Sequence, residues 1–287
     1  MPPCAGRGAV SLRALLAGRE AAVRADRIWR SPGERWFTEN DPIWLVHSDA
    51  SMFAGGIRAL LLQCLHPLAP AGVEDHSDYR DDPWTRVQNT SAFIAATTFG
   101  PIEHAEQVIA AVRRVHQSDQ GIAPDGRVYS AEDPHLLRWV HIAEVESFLT
   151  TFQHYGGRRR QIVPADADTY VAQAGVTARP LGVAQPPTTQ AQLHAEIEAF
   201  RGELVSTQRA RKVARFLLLE PPLPWTARPG YALRASGAVA TLPVWARSML
   251  GLPSVPHLDA LVGRRLGRAA TAAVRWLMAD SSVAQDA

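Results

Sequence analysis

Lysine is almost missing from this chain of 287 residues: of 30 basic side chains, 29 are arginine and one is Lys212. Schiff-base, P-loop or acyl-transfer chemistry that needs a positioned amine would have to use Lys212, which sits in the basic run Arg209, Arg211, Lys212, Arg215. None of those mechanisms is favoured. Cysteine is nearly as scarce. Cys4 and Cys64 can build neither a disulfide framework nor a four-ligand metal site, so a reducing compartment is the simpler expectation. Net charge is small at +2, too little for the field that draws proteins to nucleic acid. Long apolar runs are missing too. The best, at 59–65 and 235–246, fall short of the roughly 18 residues of a spanning helix. The first 20 residues carry Arg7, Arg13 and Arg19 and no unbroken apolar stretch before a cleavage site. Together these absences predict a soluble, cytoplasmic protein with no nucleic-acid partner and no membrane span.

Several motifs are also missing. There is no HExxH zinc helix and no GxGxxG after a strand, and the lack of CxxCH excludes covalently attached haem. A di-iron site of the ferritin type needs paired Glu-x-x-His helices, and the spacing from Glu132 to His135 straddles Pro134 at a helix start.

What is present is helical periodicity with an apolar share of 46%, enough for a sizeable core. Ile102, Ala105, Val108, Ile109, Val112 and Val115 mark one stripe after Pro101. Gly121, Pro124, Asp125 and Gly126 predict a turn, with a short hairpin ending at Val128 and Tyr129. Asp133 as cap and Pro134 at the first position predict a helix to about Tyr155, stopped by Gly156 and Gly157. Thr189 and Gln192 have capping-box spacing before Leu193, Ile197 and Phe200. Further helices are predicted at 12–29, 48–65, 83–98, 165–175, 207–219, 230–250 and 258–278. The Pro-rich stretches at 186–187 and 221–224 read as rigid connectors inside one domain, because apolar helices continue on both sides.

Two constellations carry chemistry. His141, in Trp139-Val140-His141-Ile142-Ala143-Glu144, shares a helix face with Leu137, Val145 and Phe148. A buried imidazole there must bond or ligate something, so it is either a satisfied core histidine or a ligand or base. Arg86 and Thr90, one helical turn apart after Asp82-Pro83, suit an anionic group such as a carboxylate. The alternative is a surface ion pair of Arg86 with Asp82 or Glu74. The triple Arg158–Arg160 reads as a solvated helix end or as a neutraliser of cofactor carboxylates.

The order Ala59-Leu60-Leu61-Leu62-Gln63, His66-Pro67, His76-Ser77, Asp82-Pro83, Arg86, Thr90, His116, Gly126-Arg127-Val128-Tyr129, Asp133-Pro134 and Trp139-Val140-His141 resembles the oxygenase MpaB family. That family joins the catalytic domain of latex clearing proteins, which are rubber oxygenases, with the fungal oxygenase MpaB and many actinobacterial proteins. The resemblance implies an all-α, globin-like multi-helix domain over residues 25–280, between a partly disordered extension (1–24) and a tail (281–287). It implies non-covalent haem b between helices and chemistry on a small, hydrophobic or unsaturated substrate with dioxygen. His141 becomes the proximal ligand. Arg86 and Thr90 order the pocket and bind a haem carboxylate, with Arg138 as a second arginine, and Phe93, Ile94 and Phe148 line an apolar distal side. The chain departs from the rubber oxygenases at Asn89, where they place a distal lysine, and Glu74 and Asp75 match their catalytic glutamate only loosely, so rubber cleavage is not carried over. The alternatives to a haem oxygenase are a non-catalytic helical binding protein of the same fold and a non-haem metal enzyme using His66, His76, His116 or His141.

Overall fold

A computed structural model describes residues 21–69, 83–123, 125–157, 163–221, 223, 225, 228–252 and 263–283. Among them the chain forms twelve helices and one two-stranded ribbon, an all-α fold. The helices are α1 (Ala21–Trp29), α2 (Pro42–His47), α3 (Met52–Gln63), α4 (Pro83–Phe99), α5 (Ile102–Ser118), α6 (Pro134–Tyr155), α7 (Pro164–Leu181), α8 (Gln190–Phe200), α9 (Gln208–Leu219), α10 (Arg228–Thr241), α11 (Val244–Met249) and α12 (Arg264–Val283). Between α5 and α6 lies the predicted hairpin, β1 (Gln120–Ile122) against β2 (Val128–Ser130), with Gly121 opposite Tyr129. Its turn needs a left-handed residue, which Gly126 supplies at φ 85°.

Helix α6 is the axis of the molecule. Asp133 accepts a hydrogen bond from the His135 amide and Pro134 occupies the first turn, where its missing N–H costs nothing. The stop differs from the sequence expectation. Gly156 ends the helix at φ −56°, ψ 155°, not in a left-handed cap. Glycine is required there because a Cβ would lie 2.5 Å from the Phe152 carbonyl oxygen.

Three layers of contact lock α3 to α6. At one level the backbones approach over Gly55, where a Cβ would meet Phe148 at 2.7 Å and Thr151 at 2.8 Å. At the next, Arg58, 1% exposed, forms a two-pronged pair with Glu146 and donates to Ser147 Oγ at 2.7 Å. At the third, Gln63 and α6 exchange bonds: its amide donates to the Val140 carbonyl at 3.1 Å, and its own carbonyl accepts from the Trp139 indole at 3.2 Å. Helices α7, α8, α10 and α12 pack around the same axis.

Prolines account for two further departures. The single helix expected over 230–250 is split into α10 and α11, because Pro243 cannot donate to the preceding turn. Helix α7 runs past the expected end at 175, carries Pro180 in its last turn and stops at Gly182, φ 116°. The short α2 has no counterpart among the predicted helices. Thr189 caps α8 as expected, but the Gln192 side chain returns to the Thr188 amide at 2.8 Å and not to Thr189. No helix among the described residues is long and apolar enough to cross a membrane.

Candidate functional site

One face of α6 borders a pocket. Leu137, Val140, His141, Glu144, Val145 and Phe148 follow one another at helical spacing and form one wall of a partly open cavity with about 130 Å³ of clear space. The stripe that reads in the sequence as a core face is a cavity wall. Opposite it stand Phe93, Ile94, Thr97 and Thr98 of α4 and Tyr170, Ala174, Thr177 and Ala178 of α7, while α2 contributes Ile43 and His47 and α5 contributes His116. The walls are mostly apolar, and the ionisable groups among the lining residues are three imidazoles, one carboxyl and one phenol.

Burial sets the protonation of these groups. Removal from water pushes His47 down to about 3. His141 falls to about 4, through burial first and the nearby Arg138 charge second. Both rings are therefore neutral at physiological pH. Glu144 moves the other way, up to about 7, because its charged form has lost its water. The Tyr170 hydroxyl is held well above its usual value by burial and by the Glu144 charge, so it stays protonated.

The two neutral histidines with resolved protonation differ in their bonding. His47 is saturated: Nδ1 lies 2.8 Å from Thr98 Oγ1 and Nε2 lies 3.3 Å from the Tyr170 hydroxyl. His141 is not. Its Nε2 is buried with no hydrogen-bond partner among the described residues. Such a group costs about 1–3 kcal/mol unless something supplies a partner.

The other residues singled out in the sequence are placed as follows. Phe93, Ile94 and Phe148 share the cavity wall with His141. Thr90 lies on α4 but is exposed and does not line the cavity, and neighbouring Asn89 is exposed as well. Arg138 is bound by both prongs to Glu196 of α8, at 2.8 and 2.6 Å. Arg86 belongs to α4, but its side chain lies outside the described residues, as do Glu74, Asp75, His76, Asp82 and Arg158–Arg160. His66 is buried away from the cavity, beside His135.

Sequence reasoning did not single out His47, Glu144 or Tyr170. Glu144 was legible in principle, since its offset of three from His141 puts it on the same helical face. His47 carried a weaker signal, a polar ring closing the apolar run Ile43-Trp44-Leu45-Val46 after Asp41-Pro42.

Residues 44–276 match the family model described as ER-bound oxygenase mpaB/B′/rubber oxygenase, catalytic domain. Comparison with curated proteins and with solved structures gives no match.

Proposed function

The chain belongs to the mpaB/rubber oxygenase catalytic-domain family, and from that premise we propose a haem b-dependent oxygenase whose iron is ligated by His141. Membership in an oxygenase family supports an oxygenase acting on a small molecule with dioxygen. The haem, its ligand and the hydrophobic substrate class are our reading, and one observation carries it: the neutral, unpartnered Nε2 of His141 on the wall of an apolar cavity.

The donor set fits haem iron. A neutral imidazole with a free lone pair is the proximal ligand such iron takes, and its apolar surroundings keep that lone pair unprotonated. The clear space of about 130 Å³ is smaller than the roughly 300–1,000 Å³ of common cofactor sites, so a porphyrin would have to widen the cavity. Arg138 is engaged by Glu196, which leaves Arg86 as the arginine we assign to the haem carboxylates, with Thr90 one turn further along α4 on its solvent side. When bound, haem supplies the activation of dioxygen.

The protein's own side chains do the rest. Phe93, Ile94 and Phe148 exclude water and present an apolar surface that suits a hydrophobic or unsaturated substrate. Glu144, with its pKa near 7, can hold a proton on its carboxyl in this dry space and release it near neutrality. His47, fixed between Thr98 and Tyr170, orients the phenol on the facing wall.

The test is the absorption spectrum of the purified protein, with and without dithionite and carbon monoxide. A Soret band is expected, abolished in His141→Ala while helical circular dichroism persists. A protein that stays colourless after haem reconstitution overturns the haem reading. A band that survives in His141→Ala and is lost in His116→Ala moves the ligand to the second wall.

A further inference from the structure

Outside the cavity, the described residues hold one group of donors with metal-ligand spacing, His66, His135 and Glu203, whose ligand atoms all lie within 4.8 Å of one another. The three come from separate segments. His66 follows α3, His135 is in the first turn of α6, and Glu203 follows α8. His66 is buried at 4% exposure, and the other two face solvent.

The segments that carry the three donors are held in place by contacts of their own. The His135 amide donates to Asp133, and its ring stacks on Phe200 with centroids 4.5 Å apart and planes 26° apart. The His66 ring meets the same Phe200 edge-on at 6.5 Å. The Glu203 amide donates to the Phe200 carbonyl at 2.9 Å, and the next turn of chain is pinned to the His66 segment by the bond from the Val205 amide to the Leu65 carbonyl at 2.8 Å. The donors are thus brought together by the fold, and ordering them costs little when a ligand arrives.

We propose that His66, His135 and Glu203 form a binding site for a divalent transition metal of the zinc class, separate from the cavity. Two imidazoles and a carboxylate are the three-protein-ligand set that zinc accepts with water in its fourth position, and the solvent exposure of His135 and Glu203 leaves that position wet. The set is too rich in nitrogen for calcium or magnesium, which prefer all-oxygen shells. Binding replaces the 2.7 Å contact between His135 Nε2 and Glu203 Oε2 by two metal bonds. It also gives up the long 3.3 Å contact from the Leu68 amide to His66 Nδ1, whichever ring nitrogen takes the metal. The metal clips together segments of α3, α6 and α8 that lie far apart in the chain, so it acts on stability.

Metal-stripped protein titrated with zinc or cobalt, read by calorimetry and by thermal unfolding, tests this. The expected result is one equivalent bound, a raised unfolding midpoint, and affinity weakened at least about tenfold in both His135→Ala and Glu203→Gln. Both substitutions are at exposed positions, so folding survives them, whereas His66→Ala is left out because its site is buried. The Soret band and haem content of the two variants stay as in the unaltered chain, which separates this site from haem ligation. No zinc uptake, or uptake unchanged in both variants, overturns the proposal.

Discussion

Glu144 is a carboxyl with no arginine or lysine among the described residues that line its cavity, and its effect on the protein runs against that of the histidines around it. The folded protein keeps Glu144 protonated up to about 7, while the unfolded chain gives up that proton near 4.5. Its contribution to stability is therefore full below 4.5 and is lost as pH rises through 7. His47 and His141 have the opposite sign. Their folded values of about 3 and about 4 lie below the unfolded 6.5, so what they contribute is full above 6.5 and is lost as pH falls. His66 and His154 are shifted the same way by burial. Between 4.5 and 6.5 the histidines outnumber the carboxyl, and stability falls with acid. Above 6.5 only Glu144 remains, and stability declines gently toward 7. The unfolding midpoint should peak near pH 6.5, and Glu144→Gln should remove the decline on the alkaline side and steepen the fall on the acid side. A midpoint flat from pH 6.5 to 5 would contradict this assignment. At this scale the sequence showed His141, because helical spacing placed it among Leu137, Val145 and Phe148. It did not show that this face met a cavity, since an apolar stripe is the same whether a helix or a void lies opposite. That is why Glu144, on the same stripe, did not stand out in the sequence.

The helices themselves were legible wherever an apolar period met a cap, as at Asp133-Pro134 for α6 and Thr189 for α8. What no period could reveal is where backbones approach too closely for a side chain. Helices α10 and α12 cross at Gly237 and Gly267. A Cβ on Gly237 would stand 2.9 Å from the Gly267 Cα, and one on Gly267 would stand 2.7 Å from the Tyr155 ring. Tyr155 fills the angle between them and donates to the Gly237 carbonyl at 2.8 Å. The obstacles are backbone and a buried ring, which cannot swing aside. Gly267→Ala should therefore cost about 1–3 kcal/mol by overpacking, despite alanine's better helix propensity. Gly202→Ala, where a Cβ would meet nothing within 4 Å, serves as the control. Urea denaturation of the two variants measures the difference, and equal midpoints would show that the crossing can relax.

For the molecule as a whole, the cavity and the C-terminal helices divide the labour. Every described residue that lines the cavity lies between Ile43 and Val183, and the described residues of α8 to α12 supply none of them. Yet those later helices support the wall from behind, because α10 and α12 pack on α6, the helix that carries His141 and Glu144. Arg275 of α12 fastens the arrangement. It donates to Asp49, before α3, from Nε and Nη2 at 2.9 to 3.1 Å, and to the carbonyl of Tyr155 at the end of α6 at 3.0 Å. Asp49 keeps only 11% of its side-chain surface, so this pair is worth more than an ordinary surface ion pair. Arg275→Met should lower stability by roughly 1–3 kcal/mol through loss of charged hydrogen bonds. Because α12 and the cavity share α6, the transitions followed by helical circular dichroism and by tryptophan fluorescence should stay coincident. If they separate in the variant, the C-terminal helices unfold on their own, and the cavity is held by α2 to α7 without them.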